Sequence, residues 1–231
     1  MATHLDLEEQ EQLDQLKSFW KQYGNLVTWV LIALLGAFAA WNGWNWWQRD
    51  QSIKAGAMFD ELDKAAQAGN ADQAGRVFAD MKQRYPRTAF TEQGGLLAAK
   101  VQFDKGQADA ALASLAWVGA NALEVEYQSV ARLRAAGVLL DQKKYDEALK
   151  QLDAVSPKDA SGYFEALVND RRGDVLAAQG KKDDAKVAYG KARQAIGDKV
   201  DYRQLIDAKL TALGVPPVEV AKAAVAASAV K

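Results

Sequence analysis

The sequence predicts an all-α protein: a single N-terminal transmembrane helix followed by an α-solenoid of about four helix pairs, closed by a C-terminal capping helix. Three observations predict it. Leu26–Trp41 carries no charged residue and one weakly polar one, Thr28. Beyond it, a set of small and large residues recurs at a fixed 37-residue interval. Alanine abounds and there are only 4 prolines, Pro86, Pro157, Pro216 and Pro217, a composition that favours helix over sheet. Four segments follow: an acidic tail over 1–24, a transmembrane helix over 25–47, a repeat domain over 48–213 and a flexible tail over 214–231.

The transmembrane helix comes first in the argument. At about 1.5 Å per residue, Leu26–Trp47 as a helix is roughly 33 Å long, enough for a hydrocarbon core of about 30 Å. Trp20, Tyr23 and Trp29 gather at one end and Trp41, Trp44, Trp46 and Trp47 at the other. Indole rings combine an apolar body with one N–H donor and favour the headgroup region. Lys17 and Lys21 before the segment, and Arg49 and Lys54 after it, can extend their charges towards water. Gly36 and Ala40, and likewise Ala39 and Gly43, stand four apart, a spacing that lets a neighbouring membrane helix approach closely. Small residues are also simply common in such helices. A cleaved signal peptide is a rival reading, since Ala37-Phe38-Ala39 fits a small-x-small cleavage site. The long acidic segment before it (Asp6, Glu8, Glu9, Glu11, Asp14) and the aromatic run after it argue for retention. Flanking positive charges nearly balance, so they do not assign sidedness.

Bulk composition excludes several functions. The net charge is −1 and no basic patch stands out, so nucleic acid is not an expected partner. The chain has no cysteine, which rules out disulfides, thiolate catalysis and cysteine-based zinc sites. Its only histidine, His4, lies in the acidic tail, so the repeat domain has no histidine base or ligand. Gly94-Gly95 lacks the Lys and Ser/Thr of a phosphate-binding loop. Asp170/Asp174 and Asp183-Asp184 read as solvated or capping carboxylates. No catalytic constellation, metal site or cofactor is expected.

The repeat is read in columns. Ala74, Ala111, Ala148 and Ala185 stand 37 residues apart. Two residues earlier are Asp72, Asp109, Asp146 and Asp183; four later are Phe78, Leu115, Leu152 and Tyr189; seven later are Met81, Val118, Val155 and Ala192. Five before the alanine are Gly69, Gly106, Lys143 and Gly180, and twelve before are Leu62, Ala99, Ala136 and Gly173. Glycine suits the left-handed residue that ends a helix. Aspartate suits the first turn of the next one, where it meets orphan N–H groups and the positive dipole end. Alanine allows two helices to approach, and the positions four and seven later share its buried face. This is the tetratricopeptide pattern with a slightly long period and without its usual leading tryptophan. Stacked units build a continuous core and leave a concave groove.

The columns predict helix pairs over 52–68 and 71–84, 89–105 and 107–118, 124–142 and 145–154, and 161–179 and 183–195. A final helix over 201–213 covers the last exposed face and stops at Gly214 and Pro216-Pro217. The first helix can run on directly from the membrane segment, because no breaker lies between Trp47 and Ser52. The acidic tail also reads as helix, with Leu13, Leu16, Trp20 and Tyr23 on one stripe. In tetratricopeptide arrays the first helix of each unit lines the groove. The candidate protein-binding residues on that basis are Phe59, Leu96, Lys100, Phe103, Leu133 and Leu140. Several are apolar, which suits hydrophobic peptide segments better than acidic ones. Interior packing is the alternative role for each.

Two segments carry a resemblance: Leu16-Lys17-Ser18-Phe19-Trp20-Lys21-Gln22-Tyr23-Gly24 before the membrane helix, and Asp170-Arg171-Arg172-Gly173-Asp174-Val175-Leu176-Ala177-Ala178-Gln179-Gly180 in the last unit. With the layout of the whole chain, they resemble the YfgM family, ancillary subunits of the bacterial Sec translocon. The resemblance implies a bacterial inner-membrane protein with a cytoplasmic tail and periplasmic repeats. It also implies association with SecYEG and with a PpiD-like membrane-anchored chaperone, and a non-enzymatic role assisting exported polypeptides. The rival is a membrane-tethered cytoplasmic scaffold that assembles other proteins.

Overall fold

The computed structural model describes residues 7–155, 163–196 and 200–216. The described residues form α-helices joined by short turns, without strands. The helices are α1 (Leu7–Gln67), α2 (Ala71–Arg84), α3 (Ala89–Asp104), α4 (Ala108–Asn121), α5 (Val125–Asp141), α6 (Tyr145–Asp153), α7 (Tyr163–Ala178), α8 (Lys182–Ile196) and α9 (Val200–Ala212). The chain divides into two compact units between Ile53 and Lys54. The predicted pairs and capping helix are present: the first helix runs on from the membrane segment as part of α1, and every other end agrees within three residues. Residues 1–6 of the acidic tail and the C-terminal tail from residue 217 lie outside the described residues.

The first unit consists of the α1 residues up to Ile53. It contains a helix long and apolar enough to cross a membrane. Its large side chains face outward, Phe38 at 67% and Trp46 at 72% exposure. Few polar side chains interrupt this surface, and two of them are satisfied on the helix itself. Thr28 Oγ1 donates to the Gly24 carbonyl at 2.8 Å, and Asn42 Nδ2 to the Phe38 carbonyl at 3.1 Å. Such back-bonding lets a polar side chain enter an apolar medium without an orphan donor.

The second unit is the repeat domain. All four column alanines, Ala74, Ala111, Ala148 and Ala185, are fully buried. The large residues four positions later are buried beside them, and so are those seven later. Three apolar cores follow one another along the chain. Leu62, Phe78, Met81, Leu115 and Val118 centre the first. Ala136, Leu139, Leu152 and Val175 centre the second, and Tyr189, Ile196, Ile206 and Leu210 the third.

The turns between paired helices share one geometry. Gly69, Gly106, Lys143 and Gly180 all have positive φ, from 60° to 80°. In each, the next residue's N–H bonds the carbonyl five residues back, as Asn70 to Ala65 and Lys144 to Leu139, both at 2.9 Å. This is the Schellman closure. Lys143 adopts it at the steric cost a Cβ brings to the left-handed region.

The aspartate column differs from its predicted capping role. At α2 the side-chain cap is Asn70, which accepts from Gln73 N–H, and α4 and α6 have no side-chain cap bond. The aspartates sit in the first turn, where they meet the helix dipole. Two of them also bind the following unit: Gln107 Nε2 donates to Asp72 at 2.8 Å and Gln179 Nε2 to Asp146 at 3.3 Å.

Asp170 and Asp174 also depart from a solvated reading. Asp170 is 6% exposed. Lys209 of α9 donates to Asp170 at 2.8 Å and to Asp174 at 2.7 Å. Tyr202 OH donates to Asp170 and Tyr189 OH to Asp174. Burial first, then donation to Asp174, pushes the Tyr189 phenol far above its ordinary range. The rest of the motif is structural as well. Arg172 pairs with Asp153 at 2.6 Å. Gly173 leaves room for the Tyr189 ring, which would lie 2.4 Å from a Cβ there. The segment therefore fastens α7 to α6, α8 and α9.

Candidate functional site

The repeat domain contains a groove with a cavity of about 390 Å³. Ala99, Lys100 and Phe103 of α3 form one side, and Arg134, Gly137, Val138 and Asp141 of α5 form another. Arg171 of α7 and Leu115 of α4 complete it. The α5 residues follow the i, i+3, i+4, i+7 rule, which places them on one helix face. Gly137 has no side chain to fill the groove, and the Arg171 guanidinium lies just beyond where its Cβ would stand, 3.8 Å from that position.

Three cations and one carboxylate line this space. Lys100 pairs with Asp104 at 2.7 Å in a solvent-exposed contact, of the kind worth little in stability. Arg171 reaches Asp174 at 3.6 Å, but Asp174 already accepts from Lys209 and Tyr189. Arg134 donates to the Leu96 carbonyl at 3.2 Å, a neutral acceptor. Its charge has no carboxylate partner among the described residues. Phe103, 37% exposed, supplies an accessible apolar wall.

Of the six sequence candidates, Lys100 and Phe103 line the cavity. Leu96 is 8% exposed and sits within the first core. Leu133 and Leu140 pack on the second core. Phe59 packs on the first, with its ring 5.9 Å from that of Phe90. Phe59, Leu96, Leu133 and Asp170 form a single 37-residue column, and that column turns inward. One residue on, Arg134 and Arg171 open into the groove. Their 37-residue separation is the sequence signal that identifies them. In the first unit, Gly36 and Gly43 have open space where a Cβ would stand, and Ala39 and Ala40 are exposed.

Glu92 is the other notable group. Its Oε1 accepts from Leu123 N–H at 2.8 Å, and Oε2 is buried without a partner among the described residues. Burial pushes its carboxyl above the ordinary value of 4.5; the Leu123 bond lowers it and the charge of Glu124 raises it further. It lies under the α4–α5 turn, away from the groove, and holds that turn in place.

Comparison with known proteins agrees with this architecture. The family model described as tetratricopeptide repeat-like domain matches residues 17–215. A Neisseria gonorrhoeae protein named ancillary SecYEG translocon subunit is 34% identical over 92% of this chain and 100% of its own length. Proteins of the same name from Haemophilus influenzae and Escherichia coli are 27% and 28% identical. They match 82% and 78% of this chain, and 90% and 85% of their own lengths. Repeat architecture, membrane-length helix and full-length similarity together place the chain in the YfgM family, whose members carry the tetratricopeptide repeat-like domain.

Proposed function

We propose that the chain is an ancillary subunit of the SecYEG translocon in the bacterial inner membrane. Residues 25–47 cross the bilayer once, and the repeats stand in the periplasm. There the array assists the folding or handover of exported polypeptides, together with a PpiD-like membrane-anchored chaperone. The work is done by contact rather than catalysis. The observation that carries the proposal is the similarity to a relative of that name over that relative's whole length. The outward apolar surface of α1 supports it, since surface of that extent belongs in lipid or against a partner.

Protease added to spheroplasts should digest the repeats and spare residues before the membrane segment. Protected repeats would indicate the cytoplasmic scaffold instead. In mild detergent, the chain should carry SecYEG with it. Replacing Leu26–Trp47 with an unrelated membrane helix then shows whether that association runs through the anchor.

A further inference from the structure

We infer that the groove between α3, α5 and α7 binds an extended polypeptide segment in which an acidic side chain adjoins an aromatic or large aliphatic one. The inference rests on the proposed role of the repeats in polypeptide contact and specifies the chemistry they select. Charge complementarity carries it. Lys100, Arg134 and Arg171 line the cavity against a single lining carboxylate, Asp141. Arg134 is the strongest element, being held by the Leu96 carbonyl with no carboxylate among the described residues to neutralise it. A planar guanidinium positioned in this way is suited to receive a carboxylate through paired N–H donors. Arg171 stacks over the space left by Gly137 and shares its own carboxylate with Lys209 and Tyr189. Phe103, Val138 and Ala99 provide an apolar surface beside these cations. The cavity of about 390 Å³ accommodates a few side chains rather than a folded surface. An apolar segment without acid would leave the Arg134 charge covered and unpaired, which is costly.

Full-length protein in detergent micelles tests this by fluorescence anisotropy with a labelled synthetic peptide of repeated Glu-Phe-Ser. Matched peptides of repeated Lys-Phe-Ser and Glu-Gly-Ser serve as comparators. The Glu-Phe-Ser peptide should bind tightest, and added salt should weaken it. Arg134→Gln should weaken it about tenfold, and Arg134→Lys should restore part of the loss, with circular dichroism unchanged in both. Lys100→Gln, at an exposed position outside the core, should also weaken it and provides a second variant if Arg134→Gln fails to fold. Equal binding of the lysine peptide, or affinity unchanged in both variants, overturns the inference. Full competition by inorganic phosphate at the concentration of the peptide also overturns it, by making the groove a bare anion site. Co-purification of SecYEG is measured on the same preparations. If SecYEG is retained without acidic-peptide selectivity, the inference fails alone; if the unaltered chain carries no SecYEG, the functional reading fails.

Discussion

The two ends of the repeat domain solve the same packing problem with different chemistry. Near the start, α3 crosses α2 and α4 over an apolar contact: a Cβ on Gly95 would lie 2.4 Å from Val118 and 2.7 Å from Phe78. Near the end, α7 crosses α8 in the same way at Gly173 and Tyr189, but α9 is then fixed by charge, with Lys209 between Asp170 and Asp174. An internal seam has apolar surface on both sides. A terminal cap covers the last apolar face of the repeats once. A buried ion pair contributes little net stability, but breaking it leaves an uncompensated charge. The C-terminal seam is therefore the more selective of the two.

The largest expected effect tests this contrast directly. Replacing Asp170 and Asp174 together with alanine strands Lys209, which pairs with both, and should destabilise the domain by about 3–5 kcal/mol, with α9 losing amide-exchange protection first. Phe78→Ala should cost a similar amount, about 3–5 kcal/mol, but through loss of protection in α2–α4. If both variants open the same helices, the two seams are not distinct. Next in size, Gly95→Ala and Gly173→Ala should each cost about 1–3 kcal/mol by overpacking, read from urea midpoints. Gly173→Ala should be the worse, because Tyr189 is also held by its bond to Asp174 and cannot swing away.

A smaller effect comes from Glu92. Its folded-state value is raised, so its contribution to stability is full below about 4.5, the ordinary value, and is lost as pH rises through the folded value. Denaturation midpoints should fall across that window, and Glu92→Gln should flatten this part of the profile. The smallest effect is a gain: Lys143→Gly relieves the left-handed residue and should stabilise the domain by about 0.5–1 kcal/mol.

The fold was legible because each requirement repeats. A small residue at 74, a large one at 78 and a turn residue at 69 recur at the same spacing, and their common register outweighs the local ambiguity of any single unit. Even Lys143, which breaks the glycine column, takes the conformation its position demands. The Gln107–Asp72 bond was not legible, because it joins units and depends on how one stacks on the next. The groove was only partly legible. Lys100 and Phe103 lie on it, whereas the column of Phe59, Leu96 and Leu133 turns inward, and one residue further on Arg134 and Arg171 open into the groove. A shift of one residue rotates a helix face by about 100°, and apolar character alone does not reveal which way the helix is turned. The role of Asp170 was hidden for the same reason: its partner, Lys209, belongs to the cap rather than to the repeat.

The chain has 7 tryptophans, and Trp117 alone lies in the repeat domain, edge-on to Phe78 at 5.5 Å. The other six, from Trp20 to Trp47, belong to the first unit. In vesicles with brominated acyl chains, emission from those six should dim. The light that survives comes from one indole against the first core, so the intact protein carries its own gauge of whether that core is closed.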